Sequence, residues 1–216
     1  MDFLDSLMAR DSRTADDLRR LLDPEMDLER LARASSLLTL RRFGRTITLY
    51  APLYLSNACI NPCEYCGFSS RRAIERATLS PDAIELEARS LRERGFSHVL
   101  LVTGEDRRAA SVEYLEAAIG LCRRYFAHVS IEVYPLSHAE YVRMVEAGAA
   151  ALTLYQETYD RQVYARVHPG GPKADYDARR RAPVEAARAG MRGVGLGFLL
   201  GLAPWREEML GLYEHA

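Results

Sequence analysis

Long apolar runs are missing from this sequence, and so is an excess of charge of either sign. No stretch reaches the roughly 18 consecutive apolar residues that a membrane-spanning helix needs. The formal net charge is -1 for 216 residues, whereas a nucleic-acid-binding domain usually carries a basic stripe. Residues 1–5 also lack the basic and apolar regions of a signal peptide. We therefore expect a cytoplasmic protein with no membrane partner and no nucleic-acid partner.

Cysteine is scarce as well, with four in the whole chain. Three of them, Cys59, Cys63 and Cys66, stand in one C-x3-C-x2-C segment, and Cys122 stands alone in a stretch with helical periodicity. This distribution argues against a disulfide scaffold. It suits a reducing compartment, where thiolates remain available to a metal.

The three clustered cysteines predict a soft-metal site, because thiolates select iron–sulfur clusters, zinc or Cu(I). A cubane [4Fe–4S] cluster normally takes four cysteines, so three would leave one iron free to bind something else. A structural zinc ion is the alternative, but it needs four closed ligands, and no second C-x2-C or H-x3-H pair occurs. Loop-forming residues accompany the cysteines, namely Asn57, Pro62 and Gly67.

Helical periodicity extends to about residue 43, and the pattern then changes. Residues 16–22 and 28–38 carry apolar residues at three- and four-residue spacing, and the proline at 24 separates them. From residue 46 the apolar residues alternate as in a β-strand, and strand and helix patterns then take turns. The predicted strands are 46–55, 98–103, 129–133, 151–155 and 194–200, and the predicted helices are 80–94, 112–125, 137–146 and 183–189.

This alternation predicts an α/β fold, either a parallel barrel or an open parallel sheet. With 48% hydrophobic residues, the chain is long enough for a domain with a substantial core. We predict a helical N-terminal extension over residues 1–43 and an α/β barrel region over residues 44–216. Polar residues cluster after the predicted strands, at the end where parallel α/β folds place their chemistry.

The cysteine segment resembles that of the radical S-adenosylmethionine (SAM) enzymes, with Tyr65 before the last cysteine and Gly67-Phe68 after it. Residues 45–68, 101–105, 155–159 and 195–197 resemble the aromatic amino acid lyase branch, and in particular the tyrosine lyases of thiamine thiazole biosynthesis. The resemblance covers nearly the whole chain from about residue 42 onward. It implies a partial TIM-type barrel of six βα units. The sixth strand is missing from the pattern, so we expect a C-terminally truncated chain.

The resemblance implies a radical SAM carbon–carbon lyase with a [4Fe–4S] cluster on the three cysteines and SAM on the open iron. A one-electron reductant protein of the flavodoxin or ferredoxin type would reduce the cluster, and a 5′-deoxyadenosyl radical would take a hydrogen from the amino group of L-tyrosine. Cleavage of the Cα–Cβ bond would give p-cresol and 2-iminoacetate, which a thiazole synthase uses. The alternatives are a hydrogenase-maturase-type tyrosine lyase, a tryptophan lyase and a non-catalytic metal-binding fragment.

The resemblance also implies contacts to SAM near the cysteines and after the second strand. Tyr65 and Phe68 flank the last cysteine. Gly104 lets the backbone come close to a ligand, and the resemblance places Glu105 against the SAM amino group.

Two further charged residues are SAM-binding candidates. Glu132 alternates with apolar residues, so it is expected to point into the barrel, toward polar ligand groups or Arg179. A plain salt bridge is the alternative for Glu132. Arg179 matches the family pattern together with Lys173 and Asp175, and is expected to hold the SAM carboxylate, although Ala178 replaces the aromatic residue that usually precedes it.

The segments after the fourth and fifth strands supply the remaining candidates. Gln156 and Glu157 are expected to contact the substrate or SAM as catalytic residues. Gly195 is expected to allow close approach of the adenosine. His168 stands beside Pro-Gly-Gly, and we expect it on a surface loop.

Overall fold

The computed structural model describes residues 2–216, and its contacts divide the chain into two compact units. One unit contains residues 2–48 and 204–216, and the other contains residues 49–203. The sequence predicted a division after residue 43 and a barrel region that continued to residue 216, whereas the last helix is grouped with the amino-terminal helices. Within residues 2–216, no helix is both long enough and apolar enough to cross a bilayer.

The smaller unit is built from helices. They are α1 (Phe3–Ala9), α2 (Ala15–Leu21), α3 (Leu28–Phe43) and, from the far end of the chain, α9 (Trp205–His215). Thr14 and Asp17 form a capping box at the start of α2, which satisfies backbone N–H groups that the helix itself leaves unpaired. The hydroxyl of Tyr213 in α9 donates to the carbonyl of Arg13 at 2.8 Å, so α9 is fixed beside the start of α2.

The larger unit is a parallel sheet with helices between its strands. The strands are β1 (Tyr50–Ser56), β2 (His98–Thr103), β3 (His128–Glu132), β4 (Ala151–Thr153) and β5 (Gly193–Gly195), and the helices are α4 (Pro81–Glu93), α5 (Val112–Cys122), α6 (His138–Ala147), α7 (Arg161–Val167) and α8 (Tyr176–Arg188). The strands lie in the order β1-β2-β3-β4-β5 and every pair is parallel. Sequential parallel order is the arrangement that the alternating strand and helix patterns predicted.

A row of buried apolar residues crosses the sheet and anchors the core. Leu53 pairs with Leu101, Leu101 with Ile131, and Ile131 with Leu152. The last three are fully buried, and Leu53 is 5% exposed. Because side chains alternate along a strand, the neighbouring positions face the opposite side of the sheet, where Glu132 and other polar residues lie near the carboxyl ends of the strands.

The first and last strands are shorter than predicted. At the start of β1 the reason is that a strand forms only where a partner strand lies beside it. Beyond β5 the chain still pairs with the segment after β4, through Gln156 to the carbonyl of Gly197 and Leu199 to the carbonyl of Glu157. β1 begins at Tyr50, which pairs with His98, the first residue of β2. Ile47, which the alternation placed inside the strand, is 83% exposed. β5 ends at Gly195, opposite Thr153 at the end of β4.

Two helical features were not predicted from the sequence. α7 occupies part of the segment that was expected to be a long loop, and α8 begins at residue 176 rather than at 183. Aspartates cap both helices, since Asp160 and Asp175 each accept a backbone N–H from the first turn at 2.8 Å. Pro183 was taken as the start of the last predicted helix, but it lies inside α8.

Candidate active site

A cavity of about 790 Å³ lies at the carboxyl ends of the strands. Ten of the twelve site residues predicted from the sequence line it: Cys59, Cys63, Cys66, Tyr65, Phe68, Gly104, Glu105, Glu132, Glu157 and Arg179. Gln156 and Gly195 do not. Such a cavity is expected at this edge of a parallel sheet, because the loops that follow neighbouring strands meet there.

The arginine Arg76 holds the cysteine loop in shape. Its guanidinium group donates to the carbonyls of Asn57 at 2.7 Å, Phe68 at 2.8 Å and Ser69 at 2.8 Å. A fourth contact reaches the carbonyl of Arg72 at 3.3 Å. One side chain therefore satisfies several backbone acceptors on both sides of the cysteines. This role could not be predicted from the sequence, because the acceptors are main-chain atoms.

The three thiols are close enough to influence one another. Burial raises the pKa of the Cys63 thiol to about 11, the positive charge of Lys173 opposes that rise, and Cys59 and Cys66 add to it. The Sγ of Cys66 accepts the backbone N–H of Phe68 at 3.3 Å. A thiol with a raised pKa stays protonated at neutral pH unless a metal cation binds the sulfur and displaces the proton.

The two kinds of metal site considered from the sequence place different demands on the thiols. Among residues 2–216, no three Cys, His, Asp or Glu side chains are grouped tightly enough to hold a single metal ion. A structural zinc ion needs four ligands that converge on one point. Thiolates that bind three different irons of one cluster need not converge on a point.

The end of β2 lies directly against the cysteine loop. Gly104 donates its N–H to the carbonyl of Ser56 at 2.8 Å, and Ile60 donates to the carbonyl of Glu105 at 3.0 Å. A Cβ atom on Gly104 would lie 2.3 Å from the carbonyl oxygen of Ala58. Glycine is therefore required at 104, because a side chain would push the two loops apart.

An ion-pair cluster forms another wall of the cavity. Glu157 accepts from Lys173 Nζ at 2.8 Å and lies 3.5 Å from Arg179 Nη2. Burial alone would raise the pKa of Glu157, but Lys173 and Arg179 outweigh it, so the pKa is lowered and the carboxylate stays ionised. Arg179 also donates to the carbonyl of Tyr155 at 2.7 Å. Glu157 has a φ of 74°, a conformation that non-glycine residues rarely adopt outside functional sites.

Glu132 faces the same cavity from β3, as predicted, but Arg179 pairs with Glu157 instead. Burial and the negative charge of Glu157 raise the pKa of Glu132, and Arg179 and Lys173 offset part of this effect. A cationic or hydrogen-bond-donating ligand would therefore stabilise the ionised form of Glu132.

Two predicted contacts lie elsewhere. Gln156 is buried and its Nε2 donates to the carbonyl of Tyr176 at 3.3 Å. The side chain of Glu157, a residue with positive φ, lines the cavity, whereas that of Gln156 does not. Gly195 lines a separate cavity of about 380 Å³ and packs against Thr153, and it is not among the residues that line the cysteine cavity.

The expectation of a surface loop for His168 was wrong, because the residue is only 1% exposed. Its Nδ1 lies 3.0 Å from the carbonyl of Tyr164 and its Nε2 lies 2.8 Å from the hydroxyl of Tyr65. A carbonyl only accepts, so Nδ1 carries the proton and Nε2 accepts the hydroxyl of Tyr65. Burial, aided by the charge of Lys173, lowers the pKa of His168 to about 4. This neutral histidine holds the aromatic residue beside the last cysteine.

Comparisons with known proteins agree with this geometry. The family model described as the Radical SAM superfamily matches residues 53–214. The chain is 42% identical over 205 residues to the 2-iminoacetate synthase of Escherichia coli, covering 94% of this chain and 54% of that protein. It is 30% identical over 178 residues to the 3-methylornithine synthase of Methanosarcina acetivorans, covering 77% of this chain and 49% of that protein.

A solved structure supports the fold assignment. The chain superimposes on a maturase of the [FeFe]-hydrogenase with a TM-score of 0.95 and 28% sequence identity, covering 99% of this chain and 49% of the maturase. The predicted α/β class with a partial TIM-type barrel is confirmed by this match. The chain spans about half the length of the curated relatives that it matches.

The buried histidine predicts how stability depends on pH. In the folded protein His168 stays neutral down to about pH 4, whereas its ordinary pKa is 6.5. Between these values the unfolded chain binds the proton and the folded chain does not, so stability falls as pH is lowered from about 6.5 to about 4. We expect His168 to account for about 3 kcal/mol of that loss. The free energy of unfolding, measured with urea at several pH values in this range, should change less with pH for His168→Gln than for the unaltered protein.

The matched control is His138→Gln, because the side chain of His138 is 51% exposed. This variant should keep the pH dependence of the unaltered protein. If His168→Gln has the same pH dependence of the free energy of unfolding as the unaltered protein, His168 is not held neutral in the folded state.

Proposed function

The chain belongs to the radical SAM superfamily, and we propose that it acts as a tyrosine lyase that produces 2-iminoacetate. Members of this superfamily use a [4Fe–4S] cluster and SAM. One observation carries the proposal: three cysteines, an acidic loop after β2 and an ion-pair cluster with two cations all line one cavity.

The residues present fit an iron–sulfur cluster. Cys59, Cys63 and Cys66 would hold three irons, and no fourth cysteine lines the cavity within residues 2–216. The backbone N–H of Phe68 already donates to the Sγ of Cys66, and such hydrogen bonds tune the potential of a cluster. Cys122 is buried in α5, outside this cavity.

The charges in the cavity fit the two ends of an amino acid group such as that of SAM. Glu105 offers a carboxylate to an ammonium group. Lys173 and Arg179 face the single carboxylate of Glu157 at 2.8 and 3.5 Å, which leaves one positive charge for the carboxylate of a ligand. Burial raises the pKa of Glu132, so Glu132 ionises less readily than an ordinary glutamate. It therefore neutralises less of the remaining positive charge of Lys173 and Arg179.

When bound, the cluster and SAM would supply a 5′-deoxyadenosyl radical, and the protein would orient the reactants and exclude water. Tyr65 is held by His168 and is itself buried enough to raise the pKa of its hydroxyl far above the usual range. Its ring and that of Phe68 line the cavity and would keep water from the reacting atoms. A dry site matters because water allows a reactive radical to escape or be quenched.

Tyrosine is proposed as the substrate because the 2-iminoacetate synthase of Escherichia coli is 42% identical to this chain. The reaction would remove a hydrogen from the amino group and break the Cα–Cβ bond, which gives 2-iminoacetate and p-cresol. A one-electron donor of the flavodoxin or ferredoxin type would supply electrons, and a thiazole synthase would use the imine. The cytoplasm suits these steps because it keeps the thiols reduced.

A second candidate is the hydrogenase-maturase type of tyrosine lyase, favoured by the TM-score of 0.95. Tyrosine cleavage to p-cresol is common to both candidates. Formation of cyanide from the second product would favour the maturase type, and accumulation of 2-iminoacetate would favour the thiazole pathway.

The cluster assignment predicts the metal content of variants. After anaerobic loading with iron and sulfide, the protein should hold about four irons per chain. Cys59→Ala, Cys63→Ala and Cys66→Ala should each lose most of this iron, because each removes a thiolate from the cavity. Cys122→Ala should load normally, and it serves as the control. Full iron content in Cys63→Ala would contradict the assignment.

The lyase activity predicts a specific product. The iron-loaded protein, given SAM, a reductant and tyrosine, should release p-cresol, and tryptophan in place of tyrosine should give no indole-type product. Chromatography of the reaction mixture measures both. The Cys66→Ala variant is the matched inactive control. Cleavage of SAM without p-cresol would rule out a tyrosine lyase, and no cleavage of SAM would support the non-catalytic alternative.

A further inference from the structure

Asn61 connects three parts of the cavity. It stands between Cys59 and Cys63 in the sequence, is 1% exposed and lines the cavity. Its Nδ2 donates to Oε2 of Glu105 at 2.7 Å and lies 3.8 Å from the Sγ of Cys59. Its Oδ1 accepts the backbone N–H of Lys173 at 3.0 Å. One buried amide therefore joins the cysteine loop, the end of β2 and the segment that carries Lys173.

The chemistry of these contacts requires asparagine. The backbone N–H of Lys173 needs an acceptor, and the carboxylate of Glu105 needs a donor. Asparagine provides both from one side chain, whereas aspartate has no donor to offer an ionised carboxylate. The loop is shaped around this amide, since a Cβ on Gly171 would lie 2.3 Å from Oδ1 of Asn61, and Gly171 has a φ of 74°.

The contact with Asn61 also decides how Glu105 can meet a ligand. Asn61 engages one carboxylate oxygen of Glu105, and a carboxylate has a second oxygen that accepts hydrogen bonds. The carbonyl of Glu105 accepts from Ile60 at 3.0 Å, so backbone and side chain are both fixed to the cysteine loop. The carboxylate of Glu105 therefore keeps one orientation relative to the three thiols.

We propose that Asn61 is a positioning residue that orients the carboxylate of Glu105 toward the amino group of SAM. The proposal rests on the proposed function, since it needs SAM to bind beside the three cysteines. It assigns Asn61 no contact with the reacting atoms. Its effect on SAM passes through Glu105, while its contact with Lys173 fixes the backbone beside the ion-pair cluster.

Asn61→Asp is the most informative variant, because it keeps the acceptor for Lys173 and replaces the donor to Glu105 with a carboxylate oxygen. Two facing carboxylates repel each other, so Glu105 should turn away. We expect iron content to stay near that of the unaltered protein and the Kd for SAM to rise about tenfold, equivalent to about 1.4 kcal/mol. The Kd for 5′-methylthioadenosine, which lacks the amino acid group, should not change. Equilibrium dialysis of the iron-loaded protein measures both constants.

The matched control is Asn57→Asp, the same substitution in the same loop. Asn57 donates to the carbonyl of Glu75 at 2.9 Å and accepts from Ala77 at 2.8 Å, and it does not line the cavity. It should leave both dissociation constants unchanged. This control separates an added negative charge near the cysteines from the loss of the contact with Glu105.

A double variant keeps the proposal testable if Asn61→Asp loads iron poorly. In Asn61→Asp with Glu105→Gln, the glutamine amide can donate to the new carboxylate, so the hydrogen bond returns with its direction reversed. This double variant should load iron normally and bind SAM at least as well as Glu105→Gln alone, because the amide oxygen of the glutamine, an acceptor, is left for the ammonium group.

Three results would overturn the role of Asn61. They are an unchanged Kd for SAM in Asn61→Asp, an equal loss of SAM and 5′-methylthioadenosine binding, and a double variant that binds SAM about tenfold more weakly than Glu105→Gln. If the unaltered protein takes up no iron or binds no SAM, the proposed function itself fails and this role fails with it.

Discussion

The candidate active site depends on a direct backbone contact between the cysteine loop and the end of β2. The N–H of Gly104 donates to Ser56, and the N–H of Ile60 donates to Glu105. The approach leaves no space for a Cβ at Gly104, which would lie 2.3 Å from the carbonyl of Ala58. Because of this contact, the thiols and the acidic loop share one wall of the cavity. Arg76 and His168 then fix the rest of the loop through backbone carbonyls and through Tyr65.

Charge balance explains why the wall with the ion-pair cluster is cationic. Burial raises the pKa of Cys63 to about 11, so thiolates at this site need positive charge nearby or a bound metal. Lys173 lowers that pKa, and it also neutralises Glu157. The same lysine contributes its backbone N–H to Asn61. The two walls are therefore coupled through one segment, and a ligand with both an ammonium and a carboxylate group matches the charges on each.

Much of the fold could be predicted from the sequence, because alternation and helix caps are local signals. The apolar alternation over Ala51, Leu53 and Leu55 and the capping serine at 80 both correspond to observed elements. The predicted start of β1 was wrong, since pairing with β2 decides it, and the predicted end of β5 was wrong although backbone hydrogen bonds continue beyond Gly195. The three cysteines and Glu105 were found from spacing and resemblance. Asn61 was missed, because its partners at 105 and 173 are distant in sequence. Gln156 is buried and does not line the cavity, which could not be predicted because the direction of a side chain after the end of a strand is not a local signal.

The central claim is that three thiolates hold a cluster with one iron left open for SAM. Mössbauer spectroscopy of the protein loaded with isotopically labelled iron, before and after addition of SAM, tests it most directly. If the claim is right, about one iron in four should change its signal when SAM binds, and the others should stay as they were. A spectrum that does not change with SAM, or one in which all irons respond alike, would contradict it.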